Sequence, residues 1–166
     1  MKHVFPLAFA LGLAACSSGH GMTQVTPPCD TSAATPAPKA SPSIPVSFPC
    51  GSITANIAST VAARDTGLMN IAVLGANSGM LFVFAGTTTT GFWMENTPTP
   101  LSIAFIDSTR QVINIDDMAP MTLTPHYSLR PYRYALEVNQ GWFTAHGIAA
   151  GTAVTFTLPA GTISDP

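Results

Sequence analysis

A mostly β domain, folded as a compact β-sandwich or partly closed β-barrel with one or two short helices, is what this sequence predicts, and three observations predict it. Charge is sparse: Asp, Glu, Lys and Arg make up 8% of the 166 residues, against about a quarter in an ordinary domain. Thr, Ser, Ala, Gly and Pro are abundant instead, and these suit strands and turns better than helices, whose wet faces carry Glu, Lys and Arg. Short apolar stretches alternate with a period of two and are separated by turn residues.

The N-terminus comes first. Lys2 and His3 make a short positive start, residues 4–13 are apolar, and Ala14 and Ala15 precede Cys16. Spanning a bilayer takes about 20 apolar residues, so this run has the layout of an export signal instead. Leu13-Ala14-Ala15-Cys16 resembles the bacterial lipobox. The resemblance implies cleavage after residue 15 and lipid on the Cys16 sulfur. Two or more acyl chains hold a protein durably where one does not. Ser17 follows the cysteine, and by the same resemblance its place is the outer membrane, facing the periplasm. Partners are then the membrane, through the N-terminal lipid, and an unknown small ligand or envelope protein.

Residues 16–50 read as a tether. TPPCDTSAATPAPKASPSIP has many prolines and few large apolar groups, too few to offset the entropy of ordering. Cys29 and Cys50 are the cysteines left beside Cys16. In an oxidising compartment such a pair is expected to form a disulfide. Free thiols or a redox pair are the alternatives.

The domain proper is expected over 51–162, with a tail at 163–166. Strands are predicted at 52–57, 80–84, 101–107, 111–115, 133–139 and 152–158. The uninterrupted run MLFVF at 80–84 reads as a central strand, and 101–107 pairs with 111–115 across the turn Asp107-Ser108-Thr109-Arg110. In 101–107, Leu101, Ile103 and Phe105 share one face. In 133–139, Tyr134, Leu136 and Val138 share one face, with Ala135, Glu137 and Asn139 on the other. Helices are expected at about 60–69 and about 141–146, the second capped by Gly147.

Net charge argues against some functions. Loss of Lys2 with a leader leaves five basic against eight acidic residues, a net charge of −3. With no basic stripe, nucleic-acid binding lacks its electrostatic basis. His126 and His146 are isolated, with no metal-binding motif around them. Met69, Met80, Met94, Met118 and Met121 could suit Cu(I), but two of them sit in apolar strands, where packing is the plainer reading. No metal and no cofactor are therefore expected.

GLM at 67–69, GMLFVF at 79–84, GFWMENTPTPLSIAFID at 91–107, TPHYSLRPYRYALEVNQGWF at 124–143 and HGIAAGTAV at 146–154 resemble the domain of unknown function 192 family. The resemblance covers nearly all of the globular part and implies a compact β fold with no established activity. Two positions depart from the family pattern. Glu95 stands where Lys is common in FWMKNT, and Asn70-Ile71-Ala72 stand where Arg is common after GLM.

Candidate binding residues are Arg64, Trp93, Glu95, Asn96, Asp107, Arg133 and Glu137. Trp93 offers a flat apolar face, with hydrogen bonds from Glu95 and Asn96; the plainer reading packs Trp93 in the core and uses Asn96-Thr97-Pro98 as turn chemistry. Asp107 is either a turn-starting carboxylate or a carboxylate at a pocket mouth. Glu137 either pairs with Arg130 or Arg133 or acts with Glu95 or Asp107. Arg64 either binds an anion or is a helix-end charge. No residue is assigned a catalytic role. The leading expectation is a non-catalytic, membrane-anchored binding domain. The alternative is a hydrolase-like enzyme that uses Glu95, Asp107 or Glu137 on cell-wall or glycan material.

Overall fold

The computed structural model describes residues 42–162. Six strands and two short helices follow in the order β1 (Ser43–Phe48), β2 (Gly51–Ala58), α1 (Val61–Thr66), β3 (Ser78–Thr88), β4 (Leu101–Ile106), β5 (Val112–Met118), β6 (Tyr132–Asn139) and α2 (Trp142–Ala145). The strands form one mixed sheet in the order β1-β2-β3-β6-β4-β5. Only β2 and β3 run parallel; the other neighbours are antiparallel. That one parallel pair needs a crossover, and it contains α1. The fold is mostly β with two short helices, as expected, but the sheet is open and does not close into a barrel.

The expected strands at 52–57, 80–84, 101–107, 111–115 and 133–139 correspond to β2, β3, β4, β5 and β6. MLFVF lies in β3, between β2 and β6. Two expectations are corrected. The sheet begins earlier than residue 51, because β1 lies in the Pro-rich stretch read as tether. Ile44, Val46 and Phe48 alternate into the core, and Pro45 is exposed on an edge strand, where a missing N–H is tolerated. The segment expected as a strand at 152–158 is not a strand of the sheet. It makes single bridges from Ala153 to Gln111 and from Thr155 to Ser47, so it touches both outer edges of the sheet without following either. Its bonds cap edge groups that would otherwise be open to pairing.

Both faces of the sheet are buried. One core holds Ile53, Leu81, Ile106, Leu136, Phe143 and Phe156, among others. The second holds Leu68, Phe82, Met94, Phe105, Met118 and Tyr132. α2 closes the first core. Ile148 N–H donates to the Phe143 carbonyl at 2.9 Å and Gly147 N–H to the Thr144 carbonyl at 3.1 Å, with Gly147 at φ 64°. This is a glycine-terminated helix end, as its sequence predicts. α1 and two long connections cover the second face. The Thr60 side chain caps α1 by accepting from Ala63 N–H at 3.2 Å.

Cys16 and Cys29 lie outside the described residues. The expected Cys29–Cys50 disulfide is not found; Cys50 is a free, half-buried cysteine just after β1. Among the described residues no helix is long and apolar enough to cross a membrane.

Candidate functional site

The second face opens into a cleft of about 860 Å³. Its floor is the sheet, through Phe82 and Phe84 of β3 and Glu137 of β6. One wall is α1 and the turn after it, with Arg64, Asp65 and Leu68. The other walls are the β3–β4 connection, with Gly91, Phe92, Trp93 and Glu95, and the β5–β6 connection, with Leu123, Pro125 and Tyr127.

Backbone bonds hold these connections in place. Phe92 and His126 exchange N–H···O bonds at 2.9 and 2.7 Å, and Met94 N–H donates to the Thr122 carbonyl at 2.9 Å. Asn70 N–H donates to the Asn96 carbonyl at 2.8 Å, and the Thr99 hydroxyl donates to the Ile71 carbonyl at 2.6 Å. Asn96 sits at φ 52°, a left-handed conformation that Asn tolerates well, and the Thr97 hydroxyl donates to the Glu95 carbonyl at 3.0 Å. This turn drives Met94 fully into the core and turns Trp93 outward, 55% exposed. Packing of Trp93 in the core is thus corrected: Met94 fills that place, and Trp93 lines the cleft.

Glu137 is the unusual group. It is 4% exposed, on the row between Met80 of β3 and Ile103 of β4. The expected ion pair with Arg130 or Arg133 is absent. Arg130 reaches Asp107 at 3.0 Å, while the Arg133 Nε is buried without a partner and the guanidinium lies 5.8 Å from the Tyr134 ring. Burial pushes the Glu137 carboxyl up to about 8, and no neighbouring charge or hydrogen bond offsets that shift. Burial therefore favours the protonated form of Glu137.

Arg64 is half-buried in the last turn of α1. It donates to the Ser59 carbonyl at 2.6 Å and the Val83 carbonyl at 3.1 Å, and its guanidinium lies 4.9 Å from the centre of the Phe84 ring. It ties α1 to the sheet rather than standing as an exposed helix-end charge. Tyr132 donates to the Thr90 carbonyl at 2.7 Å, which fixes the start of the β3–β4 connection; burial raises its phenol well above the usual range.

Of the residues singled out in the sequence, Arg64, Trp93, Glu95 and Glu137 meet at this cleft. Asn96 supports it as a turn residue. Asp107 and Arg133 do not line it. Asp107 accepts from the backbone N–H groups of Thr109 and Gln111 at 2.9 and 3.0 Å and from the Thr109 hydroxyl at 2.7 Å. Burial opposes its ionisation, but these bonds and the Arg130 charge outweigh it and hold the carboxyl below the usual range. Asp107 is a turn carboxylate, and it takes no part in a pocket mouth.

Sequence reasoning missed Asp65, Phe82, Phe84, Phe92 and Tyr127 as cleft residues. Tyr127 packs so closely on Gly91 that a Cβ there would lie 2.6 Å from the ring, a contact between separate connections that no local pattern announces. Among the described residues no group of three or more His, Cys, Asp or Glu is placed to hold a metal ion. Met94 and Met118 are fully buried in the second core, as packing residues.

A mixed sheet, buried on both faces and carrying an aromatic cleft over one buried acid, defines the class structurally. The chain belongs to the DUF192 family, described as Uncharacterized ACR, which matches residues 46–156. Solved structures are similar. One is a Sinorhizobium meliloti 1021 protein described as "a putative transcription regulator", 26% identical, with a TM-score of 0.69 over 72% of this chain and 98% of that one. Another is a protein of unknown function from Novosphingobium aromaticivorans DSM 12444, 30% identical, with a TM-score of 0.66 over 76% of this chain and 95% of that one. No curated protein matches the chain.

Proposed function

We propose that this protein is a lipid-anchored component of the bacterial cell envelope whose domain binds a small ligand in the cleft over Glu137. The observation that carries the reading is the convergence of an exposed Trp93 and a buried, unpartnered Glu137 on one cavity. Binding sites pair apolar walls with a few placed polar groups, and a buried acid without a partner calls for an explanation. The anchor rests on the lipobox-like Leu13-Ala14-Ala15-Cys16, and the Pro-rich stretch before β1 supplies reach from the membrane. In the oxidising periplasm Cys50 would be available to pair with Cys29.

A nucleic-acid role has little support. Three of the four arginines in the described residues are engaged: Arg64 with carbonyls, Arg110 with the Phe156 carbonyl, and Arg130 with Asp107. The shared cleft position of Glu95 and Glu137 does keep a second reading, acid–base hydrolysis of cell-wall or glycan material. Turnover lost in both Glu95→Gln and Glu137→Gln would favour it.

The test has two parts. Cys16→Ser should move the protein from the membrane to the soluble fraction; unchanged membrane association would remove the anchor. Native mass spectrometry of the full chain drawn from membranes should show a bound small molecule that Trp93→Ala loses. The same bound species in both proteins would remove the cleft as its site.

A further inference from the structure

Glu137 gives the cleft a chemical preference. Its carboxyl faces a cavity, while Met80 and Ile103 flank it along the sheet. Burying an acid without a hydrogen bond or a charge is costly, so a ligand group that restores a partner recovers that cost on binding.

The surroundings select the sign of that group. Asp65 and Glu95 add two more carboxylates to the lining, and Arg64 is the one basic residue there. Its guanidinium already donates to two backbone carbonyls and lies over Phe84. Acidic side chains outnumber basic ones in the lining by three to one, a balance that disfavours an anionic ligand. The walls are aromatic as well, through Phe82, Phe84, Phe92, Trp93 and Tyr127. Ring faces attract cations, and Arg64 over Phe84 shows that this wall already receives one.

We infer that the ligand is a small organic cation, an amine carried on an apolar body, whose charged end meets Glu137 and whose body lies along Trp93. This rests on the reading of the cleft as a binding site and names the chemistry it takes. Burial without a charged partner favours the protonated acid. When an ammonium group arrives, the Glu137 proton leaves to solvent and a charge-assisted hydrogen bond forms. Arg64, Asp65 and Glu95 are the other charged groups that face the cleft.

The test compares probes of one shape. The full chain is titrated with benzylamine, benzyl alcohol and benzoate, and with methyl glucoside as a neutral sugar, while the indole N–H signals are followed by NMR. Trp142 is the internal reference, because its indole N–H is buried in the opposite core and donates to Asn77 at 2.9 Å. Benzylamine should shift the Trp93 signal saturably and leave Trp142 unmoved, and benzoate should do nothing. Glu137→Gln should weaken benzylamine by roughly 10- to 100-fold, the range of a hydrogen bond to a charged group, with the Trp142 signal confirming its fold. Benzyl alcohol or methyl glucoside binding as well as benzylamine would overturn the cation preference and leave the binding reading standing. Unchanged benzylamine affinity in Glu137→Gln would overturn the role of Glu137. No shift of Trp93 with any probe would overturn both readings.

Discussion

Replacing Glu137 by Gln removes the ionisable group and keeps the shape of the side chain. The wild-type carboxyl is raised by burial from 4.5 to about 8 in the folded protein, whereas the unfolded chain ionises at its ordinary value. A raised acid of this kind leaves stability intact below about pH 4.5 and drains it as pH climbs toward 8, since the unfolded state sheds its proton first. At about 1.4 kcal/mol per pH unit between the two values, the loss is about 3 kcal/mol at pH 7 and nearly 5 above pH 8. Glu137→Gln escapes this loss. Urea unfolding of both proteins from pH 4 to 9 measures it. The two should coincide near pH 4 and diverge steadily, with the variant about 3 kcal/mol more stable at pH 7, on the order of 10 °C in Tm. A variant within about 0.5 kcal/mol of wild type at pH 8, the scatter of an ordinary surface change, would refute an uncompensated buried acid.

Other outcomes follow from the same coordinates. A Cβ on Gly79 would sit 2.4 Å from the Glu137 carbonyl oxygen, backbone that cannot swing away, so Gly79→Ala should cost about 2–3 kcal/mol or more in chemical denaturation. Asp107→Ala removes three hydrogen bonds and the Arg130 pair and should cost about 1–2 kcal/mol at neutral pH. Because its folded carboxyl is lowered, that difference should be present above its ordinary value of 3.8 and fade as pH falls below it. Trp93→Ala, at an exposed position, should change stability by less than about 0.5 kcal/mol.

Alternation made much of the sheet legible. Leu101, Ile103 and Phe105 enter one core while Ala104 and Ile106 enter the other, as the period of two requires. The same reasoning put Glu137 opposite Tyr134, Leu136 and Val138. What it did not reveal is that this opposite face is covered as well. The signal was present: Ala135, Ile103, Phe105 and Phe82 make the second face apolar too, which marks a sheet buried on both sides. β1 was hidden by composition, because Pro45 and the prolines before it masked Ile44, Val46 and Phe48. The segment at 152–158 alternates correctly and buries Val154 and Phe156, yet it crosses between two edges of the sheet, which no local pattern reports. The cleft draws together α1, residues 91–97 and residues 123–127, and that meeting is set by long-range hydrogen bonds rather than by nearby sequence.

The carboxyl carbon of Glu137 offers the most direct measurement. With the full chain labelled at glutamate, its ¹³Cδ shift followed against pH should show a midpoint at about 8 without ligand. A midpoint near the ordinary 4.5 would mean that the carboxyl is solvated or paired, and would contradict the isolated acid on which the binding site is built.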